Sequence, residues 1–144
     1  MYRASDVAKY ILWRNTADGT PASNLRLQKL LYFAWVVYYK NFRKRLFEDA
    51  ICAWKFGPVV PSVYYEYCQY AGLPIRVYEK PSYADDLIIL DKLMAKYFKQ
   101  TTSDLVKETH APGKPWDIVF NNGSGNRQII AFSLIEDIES RCLN

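Results

Sequence analysis

The side chains with catalytic or metal-binding chemistry are few in this sequence of 144 residues. It contains one histidine, His110, and three cysteines, Cys52, Cys68 and Cys142. A structural zinc site would need most of these four side chains, and no CxxC or HxxxH spacing brings any two of them together. An odd number of cysteines without a close pair also gives no disulfide framework. We therefore expect no metal, no cofactor and no disulfide.

The sequence motifs of common enzymes are missing as well. Neither of the glycine-rich phosphate-binding motifs, GxxxxGK[ST] and GxGxxG, is present, and the nucleophile elbow GxSxG is absent. A cysteine could be paired with His110, but such catalysis needs a nucleophile and a base within hydrogen-bond reach and a group that orients the base. The adjacent acids at 48–49 and 85–86 would point about 100° apart on a helix, not across a cleft. The sequence predicts that the protein is not an enzyme.

Length and composition indicate one domain. A chain with 50% hydrophobic and 24% charged residues can bury a core without disulfides or metal. The longest apolar run, Leu30 to Tyr39, has ten residues, whereas a membrane span needs about 20. The first residues lack the apolar stretch of a signal peptide. We predict a single cytoplasmic domain over residues 1–144 with no membrane partner.

The charges are distributed unevenly along the chain. Residues 1–60 hold ten Lys and Arg against four Asp and Glu, whereas residues 61–144 hold nine against eleven. A surface polarised in this way could meet nucleic acid, an acidic partner or a second copy of the chain. The twelve tyrosines are more than a small core hides, and tyrosine is enriched on surfaces that bind partners. A homo-oligomer is therefore one of the alternatives.

The elements that must position these residues are mostly helical. Apolar residues recur at helical spacing behind capping residues, and short β-branched or aromatic stretches interrupt them. The second helix is apolar most of the way round, so we expect it to be central and buried. The predicted helices are one capped by Ser5, one from Ser23 to about Lys40, one over 61–71, one over 83–99, one capped by Thr102 or Ser103, a short one through Phe120, and one from Ser133 to about Cys142. The predicted strands are 50–56, 75–79 and 128–130, with the first two paired. The fold class is mainly α (α+β), a compact domain of five or more helices with a small two- or three-stranded antiparallel sheet.

A nucleic-acid function would need a basic face and an element that docks on it. The first two helices resemble a helix-turn-helix in outline, but the second is too apolar to lie in a groove. We therefore expect weak or no nucleic-acid binding. The basic residues that such a face would use are Lys9, Arg14, Arg26, Lys29, Lys40 and the cluster 43–45.

Three blocks of the chain resemble one family. They are the stretch LQKLLYFA from Leu27 to Ala34, the stretch AWKFGPVVPSVY from Ala53 to Tyr64, and the pairs Thr109-His110 and Pro115-Trp116. Their content and order resemble the Panacea (SocA-like) antitoxin domain, which also occurs in phage-associated GepA-type proteins. The middle block is the specific one.

The resemblance implies an antitoxin of a toxin–antitoxin system that neutralises a cognate protein toxin by direct binding. It also implies an adaptor role in which the toxin is delivered to a AAA+ protease. The alternative is a DNA-binding or prophage-associated regulatory protein. Because the family domain pairs with many unrelated toxins, the resemblance does not identify the toxin.

The motif residues divide into structural and partner-binding candidates. Gln28, Lys29 and Tyr32 fall off the apolar stripe of the second helix, so they serve either tertiary hydrogen bonds or partner contact. If the third helix folds back beside the second, they would form one exposed patch with Tyr65, Glu66 and Gln69, the remaining toxin-binding candidates. The residues expected to be structural are Leu30, Trp54, Lys55, Gly57, Pro58, Val59, Pro61, Tyr64, His110, Pro115 and Trp116, with His110 tied to Trp116 in a turn.

Overall fold

The computed structural model describes residues 1–141, and its centre is one long helix, α2, from Asn24 to Phe42. The Ser23 hydroxyl caps this helix by accepting a hydrogen bond from the Arg26 amide. Every side chain from position 27 to position 37 is buried. The prediction of a central, buried second helix is therefore confirmed, and a helix buried on all sides cannot enter a nucleic-acid groove.

Seven further α-helices of the described residues surround α2, so the prediction of a mainly α domain is confirmed. The first of them begins at Ala4, with Arg3 and not Ser5 at its N-cap. The Ser5 hydroxyl instead donates to Glu66 at 2.8 Å, which ties the first helix to the third. The helices are α1 (Ala4–Ala17), α3 (Pro61–Glu66), α4 (Ile89–Leu93), α5 (Ala95–Phe98), α6 (Thr102–Thr109), α7 (Pro115–Phe120) and α8 (Phe132–Ser140).

The sheet of the described residues is a hairpin of two short strands, β1 (Cys52–Trp54) and β2 (Gly57–Val59). They pair antiparallel, with Trp54 opposite Gly57, so only two residues form the tip. The second strand was predicted at 75–79, and this prediction is wrong: Ile75 makes a single bridge to Ala22. The sheet tolerates the proline of β2 because β2 is its edge strand, where a missing N–H leaves no ladder incomplete.

The third predicted strand is also a single bridge, between Ile129 and Cys52. The segment 127–130 nevertheless runs along β1. The Arg127 amide donates to the Ala53 carbonyl at 2.6 Å, and the Ala53 amide donates to the Gln128 carbonyl at 2.8 Å. This attachment fixes the segment beside the hairpin.

Several predicted helices are shorter or broken in the structure. The third ends at Glu66, before a 3₁₀ turn over Cys68–Tyr70, and the fourth divides into a 3₁₀ turn (Ala84–Leu87), α4 and α5. The apolar face predicted for the fourth helix is still buried, because its apolar residues keep helical spacing across the three elements. The buried members of that face are Leu87, Leu90, Met94 and Tyr97.

The ends of the last helices shift by a residue or two. Thr101 caps α6, one residue before the predicted position, by accepting from the Asp104 amide. Helix α8 begins after Ala131 and not at a serine cap, and its predicted end at Cys142 lies outside the described residues. No helix in the described part of the chain is both long and apolar enough to cross a membrane.

Candidate partner-binding site

A buried lysine fastens the hairpin to the central helix. Lys29 is completely buried, and its Nζ donates to the Pro58 carbonyl at 2.9 Å. Burial disfavours the charged ammonium and lowers the pKa of Lys29 to about 7. An amine of this kind binds the hairpin from beneath and carries a proton only part of the time near neutral pH.

Gln28, the neighbour of this lysine, joins the hairpin and the third helix to α2. Its side-chain oxygen accepts from the Val60 amide at 2.9 Å, and its side-chain nitrogen donates to Asn24 at 3.0 Å. The Asn24 amide then donates to the Tyr64 carbonyl at 3.1 Å. This chain of bonds fixes where α3 begins relative to α2.

Glycine is required at position 57 of the family-like motif for two reasons. Its φ is +115°, a conformation that side chains disfavour, and a Cβ there would lie 2.8 Å from Lys29 Cε and 3.0 Å from Thr109 Oγ1. The backbone of β2 can therefore approach both α2 and α6 only because no side chain intervenes. Pro58 follows, and Pro61 occupies the first turn of α3 as predicted.

The C-terminal motif pair holds the hairpin from the other side. Trp116 Nε1 donates to the Trp54 carbonyl at 2.8 Å, and the Trp116 ring stacks on His110 with centroids 3.8 Å apart. Burial, followed by the charge of Lys29, lowers the pKa of His110. The predicted tie between His110 and Trp116 is present, beside a buried Pro115.

Three predicted toxin-contact residues, Gln28, Lys29 and Tyr32, are buried. The prediction that they lie in an exposed patch is wrong, because the elements around α2 cover its polar side as well as its apolar stripe. Gln28 and Lys29 instead make tertiary hydrogen bonds, which was the other alternative that the sequence left open. Tyr32 packs edge-on against Phe33, and burial raises its pKa well above the ordinary value.

The other three candidates, Tyr65, Glu66 and Gln69, are exposed. Tyr65 is 58% exposed, and its ring lies 5.5 Å from that of Tyr64 and 6.0 Å from that of Trp54. Trp54 and Tyr64 meet edge to face at 4.9 Å. We call Trp54, Tyr64 and Tyr65 the aromatic cluster. Tyr65 is exposed and the other two are half-buried, so the cluster lies partly at the surface next to the hairpin.

A groove of about 370 Å³ lies beside the aromatic cluster, between the hairpin, α2 and α3. Arg127 lies over the Trp54 ring at 4.2 Å, and Lys55 lies 5.5 Å from the Phe56 ring at the hairpin tip. Phe56 is 59% exposed. Among the described residues that line the groove are three Lys or Arg side chains and no Asp or Glu.

Sequence reasoning missed Phe56, Arg127 and Leu25 as members of this surface. It also assigned Lys55 a structural role, whereas the side chain is exposed at the hairpin tip and lines the groove. Phe56 could have been found, because an aromatic residue at a two-residue hairpin tip has nowhere to be buried. Arg127 lies more than sixty residues from the hairpin in sequence, and nothing local indicates the pairing. Leu25 precedes the buried stretch of α2 and is 41% exposed.

The described residues contain no cluster of three or more His, Cys, Asp or Glu side chains that could hold a metal ion. Cys52 is buried and Cys68 exposed, and both are free thiols. Burial raises the pKa of the Cys52 thiol, which makes it less reactive.

The three blocks thus converge on one hairpin, and comparison with known proteins identifies the arrangement. A family model described as antitoxin SocA-like, Panacea domain, matches residues 27–117. The chain belongs to this family. Antitoxin SocA of Caulobacter vibrioides (strain NA1000 / CB15N) is 33% identical over 139 residues, which cover 85% of this chain and 73% of that protein. No solved structure matches.

Membership supports an antitoxin role with a toxin as partner, and a regulatory, non-enzymatic function. The match begins at Leu27 and ends just after Trp116, so it contains all three sequence blocks.

Proposed function

We propose that this protein is the antitoxin of a toxin–antitoxin pair and neutralises its toxin by direct protein–protein contact. The observation that carries the proposal is the aromatic cluster, with Tyr65 exposed and Trp54 and Tyr64 half-buried, built on the most specific motif of an antitoxin family. Aromatic side chains and arginine supply most of the binding energy in protein interfaces. Tyr65 belongs to this cluster, and we retain it as a contact residue together with Glu66 and Gln69, which follow it in the chain and are exposed.

A contact that silences a toxin needs a continuous surface. Stable complexes bury roughly 1,200–2,000 Å² in total, so the aromatic cluster would be the centre of a larger interface. Phe56 and Leu25 extend the apolar surface on either side of the groove. Gln28 and Lys29 support this surface from within, whereas Tyr32 is buried elsewhere in the core, and none of the three meets the toxin.

The test is expression of the adjacent open reading frame, alone and together with this protein. We expect growth arrest in the first case and rescue in the second, and a complex of the two purified proteins in size-exclusion chromatography. If the neighbour causes no arrest, or if the arrest persists and no complex forms, the proposal fails.

Delivery of the toxin to a AAA+ protease is the finer alternative within the same proposal. Occlusion of the toxin requires only the complex, whereas delivery requires the protease. Rescue in strains that lack each AAA+ protease separates the two. Rescue that persists in every such strain, with toxin levels unchanged, identifies occlusion. Rescue that disappears in one strain, while the complex still forms, identifies delivery.

A further inference from the structure

The groove beside the aromatic cluster has a charge that its fold does not neutralise. Lys55 and Arg127 lie at its rim, and Lys29 lies beneath its floor. The salt bridges of the described residues involve neither Lys55 nor Arg127. Both cations rest on aromatic rings instead. The two exposed cations at the rim, with no acid among the described residues that line the groove, attract an anionic group.

The backbone of Arg127 is attached to β1. The Arg127 amide donates to the Ala53 carbonyl, and the Ala53 amide donates to the Gln128 carbonyl. The φ of Arg127 is +70°, which is unusual for a residue with a side chain. This attachment starts the Arg127 side chain beside the hairpin, and its exposed guanidinium lies over the Trp54 ring without a carboxylate partner among the salt bridges of the described residues.

The geometry points to one occupant: an acidic segment of the toxin, with at least one carboxylate that pairs with Arg127 and Lys55 while neighbouring apolar side chains contact Trp54 and Phe56. This inference rests on the proposed function and specifies the chemistry of its site. Arginine pairs with carboxylates through two parallel hydrogen bonds, which gives direction as well as charge.

Single-stranded nucleic acid is the other anion that aromatic and cationic surfaces bind, by stacking its bases on exposed rings. Here Arg127 covers Trp54, and Tyr64 meets the same ring edge to face. Lys55 lies over Phe56. Because the cations already lie over these rings, the groove favours a carboxylate over a stack of bases.

The first experiment measures the affinity of the purified antitoxin for the toxin by calorimetry at low and high salt. Arg127→Gln and Lys55→Gln should each weaken binding by about tenfold or more at low salt, with less effect at high salt. Lys92→Gln removes an exposed cation outside the groove and should change the affinity less than about twofold. Circular dichroism checks that each variant is folded.

The second experiment identifies the acid itself. A carbodiimide joins a lysine amine to a carboxylate without a spacer, so treatment of the complex should link Lys55 to an Asp, a Glu or the C-terminal carboxylate of the toxin. Lys55→Arg keeps the charge and should keep the affinity but lose this link. Mass spectrometry of the linked peptides names the residue on the toxin.

The outcomes separate this inference from the proposed function. If the wild-type protein neither rescues nor binds the toxin, the proposed function fails and the inference fails with it. If the wild type binds and rescues but the Arg127 and Lys55 variants bind equally well, the inference alone is wrong. Links from the toxin to other lysines, without any to Lys55, also overturn the inference. So does an Arg127→Gln variant that loses RNA or DNA binding while its affinity for the toxin is unchanged.

Discussion

The Lys29 ammonium reaches the Pro58 carbonyl, at 2.9 Å, in a part of the molecule from which water is excluded. The bond joins the middle of α2 to the β-hairpin that carries Trp54 and Phe56. A lysine in this position stabilises the hairpin through its hydrogen bond while the burial of its charge opposes folding. The balance between the two depends on pH.

The free energy of unfolding should rise with pH above neutrality because of Lys29. The pKa of Lys29 is about 7 in the folded protein and about 10.4 in the unfolded chain, so the unfolded chain binds more protons between these values. The group contributes about 1 kcal/mol of additional stability between pH 7.5 and 8.5. Its effect becomes constant only well below pH 7, where Lys29 is protonated in both states. Urea unfolding at several pH values measures the slope.

The matched variant for this prediction is Lys29→Met, which keeps the length of the side chain but does not titrate. From pH 7.5 to 8.5 the rise in its stability with pH should disappear. Burial raises the pKa of the Cys52 thiol, so the unfolded chain loses this proton first, and the effect that remains in this window has the opposite sign. His110, whose pKa is lowered, is mostly neutral in both states there. If both proteins show the same slope, Lys29 is not the group responsible.

Gly57→Ala should destabilise the protein strongly. The added Cβ would lie 2.8 Å from Lys29 Cε on a backbone with φ of +115°, and conformational strain of this kind alone costs about 1–3 kcal/mol. Gly72→Ala is the control, because a Cβ there has nothing within 4 Å and its φ is not positive. It should shift stability by less than about 0.5 kcal/mol. Equal thermal midpoints for the two variants would contradict the close approach seen here.

The sequence predicted the parts of this fold that depend on local spacing and capping. The Ser23 cap, the buried length of α2 and the Pro61 start of α3 all follow from residues within one or two helical turns. The second strand was misplaced because the alternation at 75–79 is a local signal, whereas strand pairing is decided by the chain as a whole. The strand predicted over 50–56 stops before Gly57 and Pro58, although these two residues begin β2.

The sequence predicted only the part of the candidate site that depends on local helix pattern. Tyr65 lies off the apolar face of a short surface helix, and its exposure follows from that face alone. Gln28 and Lys29 also lie off an apolar stripe, but their helix is central, so other elements cover them. Polarity on a buried helix indicates hydrogen bonds to neighbouring elements, and only the tertiary structure distinguishes this case from a partner surface.

Substitution of Tyr65 on α3 and of Tyr32 on α2 should therefore have different effects on binding and stability. Tyr65→Ala should weaken neutralisation of the toxin while shifting the free energy of unfolding by less than about 1 kcal/mol, because the side chain is exposed. Tyr32→Ala should lose roughly 3–5 kcal/mol through a core cavity, as expected for a buried aromatic residue. Chemical denaturation and a growth-rescue assay measure the two effects.

Leu30→Ala is the control for loss of function by unfolding, and it should cost roughly 2–5 kcal/mol. A Tyr65 variant that rescues fully would place the toxin-binding face elsewhere. One that unfolds as readily as the Leu30 variant would contradict the exposed position of Tyr65.

The hydrogen bond from Trp116 to the Trp54 carbonyl gives the last prediction, because it supports the aromatic cluster without belonging to it. Trp116→Phe keeps a ring against His110 but leaves the Trp54 carbonyl without this donor. The loss should be about 1–3 kcal/mol of stability. Because the wall of the groove is no longer fixed, the affinity for the toxin should fall as well.

Trp35→Phe is the matched control for this prediction. Trp35 Nε1 makes an equivalent bond, to the Phe47 carbonyl at 3.0 Å, but its ring stacks on Phe132 and the residue does not line the groove. The two variants should lose similar stability in urea, about 1–3 kcal/mol each, and only Trp116→Phe should raise the Kd for the toxin. Calorimetry at a temperature where both variants remain folded makes the comparison. If both variants bind as tightly as the wild type, or if both are weakened equally, the Trp116 bond has no particular role in shaping the partner-binding site.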